Sequence, residues 1–275
     1  MRTRMRALNL IERLCMDWVY TLSGFLVGLI VGVTGVGGGS LMTPLLVLAF
    51  GISPATAVGT DLLYASLTKT MGGWVHGRRG TVDWKIVVLL GMGSLPASML
   101  TILTLKYLAL DEKSLRSLVT SVLSVALLLT GTALLVKDKV QRFARRKDGV
   151  IFELHHQYLP AATIVTGALV GILVTISSVG AGALGMVVLL FLYPRHQTVK
   201  LVGADIVHAV PLTALAGMGH LALGTVDLVL LASLLLGSLP GIYVGSHVSA
   251  KIPEKVLRMV LAAMLLIIGI KMAFY

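Results

Sequence analysis

Residues 76–96 read HGRRGTVDWKIVVLLGMGSLP, and residues 220–240 read HLALGTVDLVLLASLLLGSLP. His, Gly-Thr-Val-Asp and Gly-Ser-Leu-Pro recur at a constant offset of 144, with an apolar run between the last two motifs. Chance matching of apolar letters does not keep Asp, His and Pro in the same order, so the chain reads as an internal duplication. The relation extends outward in both directions. Gly59 and Asp61 pair with Gly203 and Asp205, and Glu112-Lys113 and Leu115-Arg116 match Glu254-Lys255 and Leu257-Arg258. Gly24, Gly28, Val36 and Gly37 match Gly167, Gly171, Val179 and Gly180 at an offset of 143. Residues 18–136 form the first repeat and residues 158–275 the second.

Composition says what kind of element repeats. The 275 residues are 56% hydrophobic and 13% charged, with a mean hydropathy of +0.93. Soluble domains carry about 25% charged residues, and a water-soluble globule of this composition would expose large apolar patches. Cys15 is the single cysteine, which excludes a disulfide scaffold. The charges lie in clusters separated by apolar stretches long enough to cross a hydrocarbon core of about 30 Å as helices. Helices are required because lipid offers an open backbone no partners, and the alternating segments of about 10 residues that mark a membrane barrel are absent. Eight segments are expected, near 18–50, 55–74, 84–105, 115–136, 158–193, 198–221, 226–248 and 255–274. The chain is thus an all-α integral membrane protein of about eight transmembrane helices, two homologous four-helix repeats with a glycine-broken first helix in each. No small-x-small cleavage site closes the first apolar run, so it reads as a retained helix and not as a signal peptide.

Arg2, Arg4, Arg6 and Arg13 make residues 1–17 a basic tail, and six Lys or Arg make residues 137–157 a basic linker. With eight crossings, fourteen Lys and Arg fall on the side of the tail, linker and C-terminus and eight on the other. The positive-inside rule makes the first side, and both termini, cytoplasmic. The net charge of +11 therefore marks loops, not a nucleic-acid surface. Four crossings per half give repeats of shared orientation, related by an axis along the membrane normal; five would give inverted repeats. Either arrangement is that of a transporter, with the substrate site expected near the midplane between repeats.

Two runs interrupt the first and fifth segments: Thr34-Gly35-Val36-Gly37-Gly38-Gly39-Ser40 and Ser177-Ser178-Val179-Gly180-Ala181-Gly182-Ala183. Each glycine costs a helix about 1 kcal/mol relative to alanine. A helix that restarts after such a break presents unpaired N–H groups and the positive end of its dipole, which favours an anion. The hydroxyls of Thr34, Ser40, Ser177 and Ser178 would add donors. Gly24, Gly28, Gly32, Gly167 and Gly171 are expected to let helices pack closely.

Asp61 and Asp205 are intramembrane carboxylates, suited either to proton handling or to a structural hydrogen bond. His208 lies three residues beyond Asp205 and reads first as a satisfied core histidine, with titration in the same path as the alternative. Lys69 is expected to snorkel to the cytoplasmic interface, with gating or an anion contact as the alternative. His76 and His220 are expected to anchor the matching Gly-Thr-Val-Asp turns. No cofactor or metal is implied, since His155-His156 has no further ligands at diagnostic spacing. No catalytic constellation points to an enzyme, and a haem would need facing axial histidines where only His208 lies deep. A passive anion channel remains the main alternative to a carrier.

The glycine-rich stretch from Gly28 to Ser40, followed by Pro44 and Ala57-Val58-Gly59-Thr60, resembles the sulfite exporter TauE/SafE family of membrane permeases over nearly all of residues 18–274. The resemblance implies a duplicated helical inner-membrane transporter of sulfite, sulfonates and related sulfur-containing anions, working without ATP. The second copy lacks the triple glycine, and Ala204 stands at the partner position of Thr60. The small sulfur-containing anion and the lipid bilayer are the expected partners. Whether the chain forms a homo-oligomer is left open.

Overall fold

The computed structural model describes residues 18–33, 39–108, 111–145, 150–249 and 254–274. Among them it contains ten helices and no strand. They are α1 Trp18–Val33, α2 Gly39–Phe50, α3 Pro54–Arg78, α4 Trp84–Leu108, α5 Glu112–Arg145, α6 Val150–Ser177, α7 Ala183–Leu192, α8 Thr198–Ala222, α9 Leu228–Ser249 and α10 Glu254–Ala273. Six are long and apolar enough to cross a membrane, in α4, α5, α6, α8, α9 and α10. At 25 residues α3 matches α4 and α8 in length, but it buries Thr60, Asp61 and Lys69 along its course.

Local chemistry sets the ends. Ser53 accepts from the Thr56 N–H at 3.2 Å, and Pro54 opens α3 where no N–H is needed. Asp83 accepts from the Lys85 and Ile86 N–H groups at the start of α4, and Asp227 from those of Val229 and Leu230 at the start of α9. Gly80 and Gly224 turn the chain after α3 and α8 at φ 63° and 73°, the left-handed conformation in which a side chain is strained.

Close contacts fix the helix directions. Gly59 of α3 faces His220 and Thr225, Leu63 faces Gly217, and Gly73 faces Val207, so α3 and α8 run antiparallel. The pair α5 and α10 is antiparallel too, with Gly131 against Ala262 and Leu266, and Gly269 against Leu127 and Leu128. By contrast Gly167 lies on Leu90 and Gly171 on Ser94, making α4 and α6 parallel. Ser94 bonds His208 and Ile102 packs on Gly219, so α4 and α8 are parallel as well.

It follows that α6 and α8 point the same way, and α7 must carry the chain back between them. It does so as a hairpin: Gly180 lies beside Leu173, and the Tyr193 hydroxyl meets Thr163 at 2.7 Å. On the other side α1 is parallel to α9, through Gly24 on Leu234 and Gly28 on Ser238. In turn α9 is parallel to α3, through Thr60 to the Asp227 N–H and Tyr64 beside Ser238. So α1 and α3 point the same way, and α2 returns between them.

These directions correct the expectation of two halves sharing one orientation. Sequence-paired helices α3 and α8 point oppositely, and α1 starts at the opposite end of the bundle from α6. Trp18, where α1 starts, and Arg145, where α5 stops, therefore lie at opposite ends of the bundle, not on a shared face. The physical reason is the return helices, which each add a pass that a count of long apolar segments cannot see. The stretch 137–157, expected as a loop, is helical through Arg145 and again from Val150.

The expected glycine packing is present at Gly24, Gly28, Gly167 and Gly171. A Cβ on Gly24, Gly28, Gly167 or Gly171 would sit 2.2–2.5 Å from a backbone oxygen of the facing helix. Trp18, Trp74, Trp84, Leu100, Leu236 and Ile267 are exposed, an apolar exterior fit for lipid.

Candidate functional site

The fifth expected segment does break at its glycines. After Ser177 the chain leaves helix, with Ser178 at φ 59°, Gly180 at 117° and Gly182 at 139° before α7 begins at Ala183. Ser178 is the one described non-glycine residue in the left-handed region. The turn is held from within: the Ser177 hydroxyl donates to the Leu173 carbonyl at 2.6 Å and accepts from the Val179 N–H at 3.2 Å. Ser177 therefore shapes the break, while the buried Ser178 hydroxyl has no hydrogen-bond partner.

Three buried ionisable groups converge on this break. Lys69, from α3, donates to the Ala181 carbonyl at 2.7 Å and is 8% exposed. Asp61 and Asp205 both lie within electrostatic reach of its ammonium. Asp205 reaches the start of α7, where a Cβ on Gly185 would meet its Oδ1 at 2.6 Å. Asp61 is fully buried; Thr43 of α2 donates to its Oδ2 at 2.5 Å, while Ser178 faces the same carboxylate. Its Oδ1 has no hydrogen-bond partner. The expected snorkelling of Lys69 is thus overturned. The side chain points inward because two carboxylates and a carbonyl offer what the interface would otherwise supply, and an unpaired buried charge costs several kcal/mol.

His208 sits beside this group and is buried, its Nε2 2.7 Å from Ser94 Oγ. This is the satisfied core histidine expected from the sequence. His76 and His220 anchor their turns as expected, with Nδ1 at 2.8 Å from Thr81 and 2.9 Å from Thr225. His220 also reaches the Thr175 carbonyl at 2.9 Å, and Thr175 donates to Ser98 at 2.7 Å. A belt of polar contacts thereby joins α4, α6 and α8.

The structure brings Ser177, Ser178, Gly180, Gly182, Asp61, Lys69, Asp205 and His208 into one region. Thr34, Gly35, Gly37 and Gly38 lie outside the described residues, as do the side chains of Ser40, His155 and His156, while Gly39 opens α2. Thr43, Tyr64 and Ser94 were not singled out from sequence. Ser94 was visible inside the repeated Gly-Ser-Leu-Pro motif, where it read as part of a pattern. Thr43 and Tyr64 carry no sequence signal, being ordinary residues in apolar runs.

Against known families, residues 20–272 match sulfite exporter TauE/SafE. The chain belongs to the sulfite exporter TauE/SafE family. It is 36% identical over 251 residues to the probable membrane transporter protein YjnA of Bacillus subtilis, covering 91% of this chain and 97% of that one. A second relative, the probable membrane transporter protein YdhB of the same organism, is 29% identical over 252 residues, 85% of this chain and 91% of its own. No solved structure matches. The TauE/SafE assignment makes the chain a multi-pass membrane transporter and gives the buried charges a bilayer context.

Proposed function

We propose that this protein is a secondary transporter of small sulfur-containing anions, such as sulfite and sulfonates. The observation that carries the reading is Lys69, buried between Asp61 and Asp205 against the second helix break. An anion there finds one ammonium, the Ser178 hydroxyl and the N-terminal end of α7, whose dipole favours negative charge. Two carboxylates around one lysine leave no room for a further negative charge unless a proton travels with it. Asp61 or Asp205 carries that proton, and His208 lies in the same path. From the repeat we infer that the first break, Thr34 to Ser40, takes the matching part in binding the anion.

The two homologous halves form inverted repeats, since sequence-paired contacts recur with direction reversed. Gly59 faces the Thr225 carbonyl and Gly203 that of Thr81. Assigned by these directions, fourteen Lys and Arg fall at the linker end and eight at the end holding both termini. The positive-inside rule makes the linker end cytoplasmic and the termini external, in the plasma membrane.

The test is sulfite binding to the purified protein and sulfite flux in liposomes. Saturable uptake driven by a proton gradient is expected, with Gly38→Leu weakening binding at least about tenfold. Unchanged affinity in that variant would remove the first break from the site, and flux that neither saturates nor responds to protons would make the protein a channel.

A further inference from the structure

The contact between Lys69 and Ala181 joins residues 112 positions apart and ties α3 to the break between α6 and α7. The bond from the ammonium to this carbonyl is already charge-assisted, but a carbonyl offers only a dipole, whereas an anion adds the attraction of a full opposite charge. An anion entering this region competes for the same Nζ. When it wins, the Ala181 carbonyl, in a residue only 9% exposed, loses its partner. A buried acceptor without a partner is unfavourable, so the break must move to find water or another donor.

The position paired with Lys69 is not built this way. Thr213 stands there, and its hydroxyl is committed to its own helix, at 2.8 Å from the Ala209 carbonyl and 3.3 Å from that of Val210. The groups facing Lys69 are Asp61 on its own helix, Asp205 and His208 on α8, and the break itself. Thr213 brings no ammonium from α8, so this tether has no counterpart at the sequence-paired position.

We propose that Lys69 is a positioning residue that tethers the second break when the site is empty and releases it by transferring its ammonium to the bound anion. This rests on the anion reading above and adds how occupancy moves the protein. Binding at the site then loosens residues 178–182 specifically.

The experiment uses full-length protein with Cys15→Ser and Ala181→Cys, which leaves the Ala181 backbone carbonyl in place. The readout is the rate of labelling by a water-soluble methanethiosulfonate, with methanesulfonate as the anion because it does not consume the reagent. Labelling is expected to be slow without anion, about tenfold faster when methanesulfonate saturates, and about tenfold faster without anion after Lys69→Met. Methanesulfonate should then add nothing further to the Lys69→Met rate, while Lys69→Arg should label at nearly the parent rate. Equal parent and Lys69→Met rates overturn the tether. So does an unchanged parent rate when calorimetry shows methanesulfonate bound; that outcome leaves the anion reading standing. If methanesulfonate and sulfite both fail to bind, the anion reading falls and the release step with it. Should Lys69→Met not fold, the anion response of the Lys69-intact protein decides.

Discussion

Helices α3 and α8 are the same length, pack antiparallel on each other, and carry an aspartate as their eighth residue. Both carry in their last turn a histidine that holds the threonine of a Gly-Thr-Val-Asp turn. Between those landmarks they differ. Where α3 has Thr60, Tyr64, Ser66 and Lys69, α8 has Ala204, His208, Val210 and Thr213. The frame is therefore nearly equivalent in the two helices while the chemistry is not. Positions that set backbone approach and turns are shared, and positions that face the charged centre have diverged.

The sharpest break of this comparison is at Lys69. Lys69→Met leaves two buried carboxylates without their cation, and losing one partner of such a group costs about 3–5 kcal/mol. Thr213→Val at the paired position removes only a hydroxyl bonded to its own helix, worth about 1 kcal/mol. Thermal melting of the detergent-purified variants should show a large drop for the first and a small one for the second. Equal drops would mean that the two helices are functionally interchangeable.

The carboxylates come next. Asp61 accepts from Thr43 and keeps one oxygen unpartnered, whereas Asp205 lies against the backbone of α7. Asp61→Asn is expected to lower proton-driven sulfite uptake more than about tenfold in liposomes, with Asp205→Asn milder. A reversed order would move the proton site to α8.

The shared frame has its own test. A Cβ on Gly93 would stand 1.9 Å from the Ile164 carbonyl oxygen, and one on Gly237 would stand 1.8 Å from that of Thr21. Gly93→Val and Gly237→Val should each destabilise by about 1–3 kcal/mol, through overpacking at a helix crossing. Their melting temperatures should fall by similar amounts, since each separates a parallel pair, α4 from α6 or α9 from α1. A large inequality would break the equivalence of the two crossings.

Much of this frame could be read from the sequence, for a definite reason. Asp, His, Pro and Gly are rare or punctuating in apolar helices, so their ordered recurrence at 76–96 and 220–240 is informative. The break at 178–182 was legible from glycine cost alone. Helix direction was not: α7 is a ten-residue apolar helix, and hydropathy cannot say whether such a piece continues α6 or returns beside it. The same ambiguity at α2, a 12-residue apolar helix, is what set the start of α1 and the end of α5 on one face in the sequence reading. The role of Lys69 was hidden because its hydrogen-bond partner is a backbone carbonyl, which no residue type announces. Thr43 was hidden because its carboxylate lies 18 positions away.

The smallest expected effect lies at the edge of the frame. Arg258 of α10 makes a bidentate pair with Asp138 of α5, about half of whose side chain is exposed. The pair clasps α5 to α10 toward the end where α5 runs into the linker. Bidentate geometry makes it stronger than most surface pairs, but solvent screening limits it to about 1 kcal/mol. Packing of Gly131 on Leu266 and of Gly269 on Leu128 holds the two helices regardless. Arg258→Gln should shift the melting temperature slightly at low salt and not at all at high salt, where the exposed carboxylate is already screened. A large loss at either salt would mean that the two helices depend on this clasp, and that the frame is less evenly shared than the glycine contacts indicate.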